Sequence, residues 1–111
     1  MEELIVLWTS GDREVALEMV FMYILNSMRN GWWKKITMIV WGPSSPLLAR
    51  DEELQVMMSQ IMDMGVSVKA CRACADHYGV AKKIEDLGIE VKFMGREFTE
   101  HLKGDARVIT F

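Results

Sequence analysis

Two cysteines stand close together in Cys71-Arg72-Ala73-Cys74, where a short β-branched run gives way to a helix-forming one. Amides at a helix start point outward and carry partial positive charge, so they favour a thiolate over a thiol. Arg72 adds positive charge beside them. A dipole effect of up to ~1–2 kcal/mol corresponds to about one pKa unit of thiol acidity. Cys71, at the cap itself, is the expected nucleophile and the faster of the two to alkylate. Cys74, one turn in, is placed to act as a resolving thiol. His77 and Tyr78 follow on the helical face of Cys74, where a histidine would shift the proton balance of the thiols.

Other chemistries fit these residues less well. Cys71, Cys74, His77 and His101 could supply zinc ligands, but no second pair has a familiar spacing and His101 belongs to another element. No metal is expected. Ala75 stands where covalent haem attachment needs histidine. Thr9-Ser10-Gly11-Asp12 has neither a dinucleotide fingerprint nor a P-loop lysine, and reads as a turn and helix cap. No cofactor is expected.

The elements that must position the thiols alternate regularly. Leu4–Trp8, Ile36–Trp41, Val66–Ala70, Ile89–Phe93 and Arg107–Phe111 read as strands, because they are short apolar runs rich in β-branched residues. Between them lie helical stretches: 13–30, stopping at Gly31; one after Pro43, with Ser45 as cap, restarting near Asp51 and ending at Gly65; 72–87, notched at Gly79; and a short one holding Phe98 and Leu102. Strict βα alternation predicts a parallel sheet with helices on both faces. The phrases Gly65-Val-Ser-Val-Lys69 and Gly88-Ile-Glu-Val-Lys92 echo each other as one αβ unit used twice. Ligands gather at the carboxyl ends of such strands. The expected rim of a Cys71/Cys74 site is therefore Trp8, Thr9, Ser10, Trp41, Gly42, Arg72 and His77.

Composition bounds the rest. The chain has 111 residues, 50% hydrophobic and 26% charged, which predicts one folded domain over 1–111. A net charge of −3 without a basic block argues against nucleic acid as a partner. The longest uncharged stretch, 36–49, contains Gly42, Pro43 and Pro46, so no membrane span is expected. The acidic start of the chain is unlike a signal peptide, so a cytoplasmic location is expected, with the cysteines as working thiols rather than a staple. The first helix has almost no polar face between Phe21 and Met28, and Trp32 and Trp33 follow it. A helix apolar all round needs cover on every side. A homo-oligomer with this helix and the Trp32-Trp33 segment in the contact is the expected remedy.

Over nearly its whole length the chain resembles a small stand-alone member of the DsrE/DsrF-like family, of sulfur-relay type. The resemblance rests on strand one with its Thr9-Ser10-Gly11 turn, on Val40-Trp41-Gly42-Pro43-Ser44, and on Val68-Lys69-Ala70-Cys71. It rests also on Gly79-Val80, eight residues after that cysteine. It implies a three-layer α/β/α sandwich around a five-stranded, mostly parallel sheet, and oligomers ranging up to hexamers. It further implies that Cys71 accepts sulfur as a persulfide, with sulfur donor and acceptor proteins as partners. Cys74 has no counterpart in the sulfur-relay members. Two readings compete with a sulfur carrier: a thiol–disulfide oxidoreductase using Cys71 and Cys74, and a non-catalytic oligomer that binds a ligand or partner. A carrier works without Cys74, an oxidoreductase needs both cysteines, and a binding module needs neither.

Overall fold

The computed structural model describes residues 2–111. Its strands are β1 (Glu3–Trp8), β2 (Lys35–Val40), β3 (Ser67–Cys71), β4 (Glu90–Lys92) and β5 (Arg107–Thr110). They form one sheet in the order β4-β3-β2-β1-β5, and every neighbouring pair is parallel. The helical elements are α1 (Arg13–Val15), a π-helical segment (Ala16–Phe21), α2 (Met22–Asn30), α3 (Ser44–Arg50), α4 (Glu52–Asp63), α5 (Arg72–His77), α6 (Ala81–Asp86) and α7 (Gly95–Lys103). Sheet and helices match the α/β architecture expected from the alternation.

The two faces of the sheet are covered unequally, and the strand order explains why. From β1 to β4 the chain steps one way across the sheet, so right-handed crossovers put every helix up to α6 on one face. The connection from β4 to β5 crosses back, and α7 lies on the other. Side chains follow this division, because alternate residues of a strand face opposite sides. Leu4, Val6, Trp8, Met38, Val40, Val68 and Ala70 join Phe21, Leu48, Leu54 and Ile61 in the large core. Ile5, Leu7, Ile39, Cys71 and Met94 form a small core under α7, with Trp41, Cys74 and Phe98 packed against it. Chain connections leave β3 and β4 toward opposite faces. The crevice outside the carboxyl ends of that pair is where such sheets place ligands.

Local chemistry sets the helix boundaries. Asp12 caps α1 by accepting hydrogen bonds from the amides of Glu14 (2.8 Å) and Val15 (3.2 Å). Pro43, not Ser45, occupies the cap of α3. The hydroxyl next to it donates elsewhere: Ser44 Oγ bonds the carbonyls of Trp8 (2.6 Å) and Trp41 (3.2 Å), tying together the ends of β1 and β2. The π-helical segment is a departure from the regular helix expected over 13–30. Its wider turn sends Ala16, Val20, Phe21 and Ile24 inward, while Met19, Met22 and Tyr23 stay on the surface.

Candidate functional site

Cys71 is the last residue of β3 and stands at the cap of α5 with extended backbone. Its pairing partner on β4 is Lys92, so it opens onto the β3/β4 crevice. Strand alternation turns Val68 and Ala70 into the large core, and Lys69 and Cys71 to the α7 side. There Cys71 is 4% exposed, enclosed with Ile5, Leu7, Ile39 and Met94. Cys74, one turn along α5, packs against the same cluster but is half-buried. Burial pushes the Cys74 thiol up; the Gly42 amide pulls the other way, and Cys71 adds to the rise. A charge on Cys71 thus works against one on Cys74, and the pair carries one negative charge more readily than two.

Accessibility runs against the order in which the thiols were expected to alkylate. The cap position selects Cys71, but six residues make α5 a short dipole, and the cap also places the side chain in the angle between β3 and α7. The enclosed thiol is Cys71, and the one nearer solvent is Cys74.

The expected rim is only partly assembled. Of its members, Trp41 and Gly42 lie beside the thiols. Trp41 lies against Phe98, and Gly42 turns the chain after β2 at φ +72°, a conformation that leaves its amide facing Cys74. Trp8 does not belong. Its side chain points to the opposite face of the sheet, fully buried, edge-on to Phe21 with ring centroids 5.3 Å apart. Thr9 and Ser10 hold the end of β5 instead: both amides and Thr9 Oγ1 donate to the Phe111 carbonyl, at 2.7, 3.1 and 2.8 Å. Arg72 is turned away from the thiols. Its guanidinium donates to the Val91 carbonyl at 3.1 Å and pairs with Glu85 at 3.3 Å and Asp76 at 3.5 Å, so its charge is spent on β4, α6 and its own helix. His77 is exposed and meets Tyr78 edge-on, and Tyr78 is itself 40% exposed. His101 sits on α7, 3.9 Å from Glu97.

Residues not singled out from the sequence hold the cover over Cys71. Glu97 of α7 accepts from Lys69 of β3 and pairs with Lys92 of β4, both at 2.8 Å. Together these ion pairs fasten the helix across the two strands that flank the crevice. The signal was the echoed phrase: its two copies end in Lys69 and Lys92, and both lysines reach one carboxylate.

A groove opens elsewhere on the surface, at the β5 edge. About 610 Å³ in volume, it is lined by Met19, Met22, Tyr23, Trp32 and Ile109, with Glu18 and Arg107 as its charged groups. Among the described residues no helix is long and apolar enough to cross a membrane.

Comparison with known proteins agrees with this architecture. The model of the DsrE/DsrF-like family matches residues 4–111. A conserved protein of unknown function from Bacteroides thetaiotaomicron, BT1422, is 37% identical, with 99% of this chain and 95% of that one covered and a TM-score of 0.95. The YchN protein of E. coli shares the fold at 17% identity and a TM-score of 0.75, with both chains fully covered. So does MTH1491, a protein of unknown function from Methanobacterium thermoautotrophicum, at 19% identity and a TM-score of 0.79, again over the full length of both. No curated protein matches the chain.

Proposed function

The chain belongs to the DsrE/DsrF-like family, and from that premise we propose that it is a sulfur-relay protein holding sulfane sulfur as a persulfide on Cys71. One observation carries the reading. Cys71 ends β3 at the crevice where the sheet's connections diverge, inside the apolar cluster under α7, and a second thiol packs against that cluster. A persulfide is consumed by any soluble thiol that reaches it, so a carrier needs its sulfur enclosed. Met94, Phe98 and Trp41 supply that enclosure. The relay works without a cofactor: a thiol attacks the outer sulfur of a donor persulfide, and an acceptor thiol later removes it. Its partners are proteins or small thiols that give and take sulfane sulfur. Free thiols suit a reducing compartment, and the cytoplasm is the proposed location.

The test is the mass of the intact protein after exposure to a persulfide donor, removal of the donor and a brief chase with glutathione. Wild type stays heavier by one sulfur atom, carried by the Cys71 peptide. Cys71→Ser keeps none through the chase. If wild type retains no sulfur, the carrier reading fails.

The packing of both thiols on one apolar cluster also favours thiol–disulfide exchange as a second reading. That reading requires Cys71 and Cys74 equally, and stores no extra sulfur.

We also propose that the chain pairs with a second copy of itself through the β5-edge groove. Met19 and Trp32 are each 52% exposed there and line one groove, apolar surface that a second copy would cover.

A further inference from the structure

The proposed store of sulfur and the accessible thiol are different residues. Cys71 is 4% exposed. Cys74 is packed on the same cluster but reaches solvent. Thiol–persulfide exchange needs the attacking, transferred and leaving sulfurs close to one line, so access limits it as much as acidity does. A persulfide carried on a peptide or a protein can align on Cys74. It cannot align on Cys71 while Met94 and Phe98 cover that thiol.

We infer that Cys74 is the receiving thiol, taking the outer sulfur from the donor and passing it to Cys71. This inference rests on the carrier reading above. In the first step Cys74 Sγ attacks the outer sulfur of the donor persulfide. The donor's S–S bond breaks, its electron pair leaves with the donor sulfur, and that sulfur takes up the Cys74 thiol proton. The products are a Cys74 persulfide and the donor thiol. In the second step Cys71 Sγ attacks the same outer sulfur. The Cys74–sulfur bond breaks, Cys74 Sγ leaves with the pair, and it takes up the Cys71 thiol proton. Each step breaks one S–S bond and forms one, so neither consumes an oxidant or a reductant.

The surroundings favour this direction of transfer. Cys71 and Cys74 are one turn apart and share one apolar cluster, so the second step is intramolecular and does not wait for collision. As Cys74 Sγ leaves it gathers negative charge, and the Gly42 amide faces it there. Once on Cys71, the sulfur lies behind Met94 and Phe98, out of reach of free thiols.

The experiment uses the full chain and glutathione persulfide as the probe. Wild type, Cys71→Ser, Cys74→Ser and Cys74→Ala are mixed with it for increasing times, without a thiol chase, and capped with iodoacetamide. Cleavage after Arg72 places the two cysteines on separate peptides for mass measurement. In wild type the sulfur is expected on Cys74 first and on Cys71 later. Cys71→Ser traps it on Cys74. Both Cys74 variants load Cys71 at least about tenfold more slowly, because direct attack must await opening of the cover. Adding Phe98→Ala to Cys74→Ser recovers loading, since it opens that cover. If the Cys74 variants load Cys71 as fast as wild type, the receiving role is overturned and the carrier reading stands. If wild type instead expels hydrosulfide and forms a Cys71–Cys74 disulfide, the inner sulfur was attacked and the transfer step is overturned. If wild type takes up no sulfur on either peptide, the carrier reading falls and the receiving role with it.

Discussion

Trp41 meets Phe98 edge-on, with ring centroids 5.4 Å apart and ring planes at 66°. This contact joins the carboxyl end of β2 to α7 and covers one side of the cluster around Cys71. Both rings are only partly buried, so the pair acts as a cover rather than as part of the main core.

Removing that cover should expose the buried thiol. Phe98→Ala is expected to lower stability by about 2 kcal/mol, less than a fully buried phenylalanine would cost. Alkylation of Cys71 should speed up much more than alkylation of Cys74. Timed capping followed by peptide mass measurement checks it. Equal acceleration of both thiols would mean that Phe98 supports the fold without guarding Cys71.

Glu97 fastens the same helix by charge, which makes the fastening depend on pH. Burial works against the ionised carboxyl, but hydrogen bonds from Lys69 and Lys92 outweigh it and hold the group below the usual carboxylate range. A depressed folded-state value means that the stabilisation is fully present above the unfolded value and is lost as pH falls through the folded one. Glu97→Gln should therefore be less stable than wild type at neutral pH, by on the order of 1 kcal/mol for a partly exposed ion pair. The gap should close in acid, as pH falls through that depressed value. Urea midpoints at neutral and acidic pH test this; a gap that persists unchanged in acid rules out the carboxylate as its source.

These two covering contacts mark how far the sequence was legible. Strand positions followed from β-branched apolar runs such as Ile36–Val40, and helix stops followed from glycine, because both are local signals. Trp41 and Gly42 followed from the rule that strand ends gather ligands. Trp8 did not, because the same rule is silent about which face a strand's last side chain takes. Arg72 was misread for a related reason: proximity in sequence to Cys71 placed its charge near the thiol, but at the start of a helix its long side chain turns to the Val91 carbonyl and Glu85. The echoed phrases marked Lys69 and Lys92 as equivalent positions, but their clamping of Glu97 depends on α7 crossing over both strands, a long-range fact that no local pattern encodes. The π-helical segment was equally hidden. Its phase shift decides which of the many apolar residues between Ala16 and Leu25 face the core.

The charge balance of the thiol pair yields a third expectation. Cys74 is pushed above the ordinary thiol range by burial, helped by Cys71 and opposed by the Gly42 amide. Its alkylation should rise with pH through a midpoint above that of an ordinary thiol. Cys71→Ala removes one of the groups that raise it, so the midpoint should move down. Rates of iodoacetamide capping at Cys74 across pH, in wild type and variant, measure this directly. An upward shift in the variant would show that Cys71 stabilises the Cys74 thiolate instead.

The groove beside β5 decides the state of assembly. Side-chain contacts tie its apolar wall together: Trp33 Nε1 donates to the Tyr23 hydroxyl at 3.0 Å, and the Tyr23 and Trp32 rings lie 6.1 Å apart. Glu18 and Arg107 line the same groove, and neither has an ion-pair partner among the described residues. A twofold contact presents the same patch from both copies, so it can set Glu18 of one copy against Arg107 of the other. β5 is also an edge strand, a surface that soluble proteins usually cover. Light scattering is therefore expected to show an oligomer for wild type and a monomer for Trp32→Glu. The monomer's unfolding free energy should match wild type, measured at the lowest protein concentrations, within about 0.5 kcal/mol, because the indole is half exposed in the single chain. Glu18→Arg alone and Arg107→Glu alone should each weaken the oligomer, and the double exchange should restore it. A wild type that stays monomeric at high concentration refutes the pairing. An oligomer indifferent to all four variants moves the contact to another surface, leaving the groove for a different occupant.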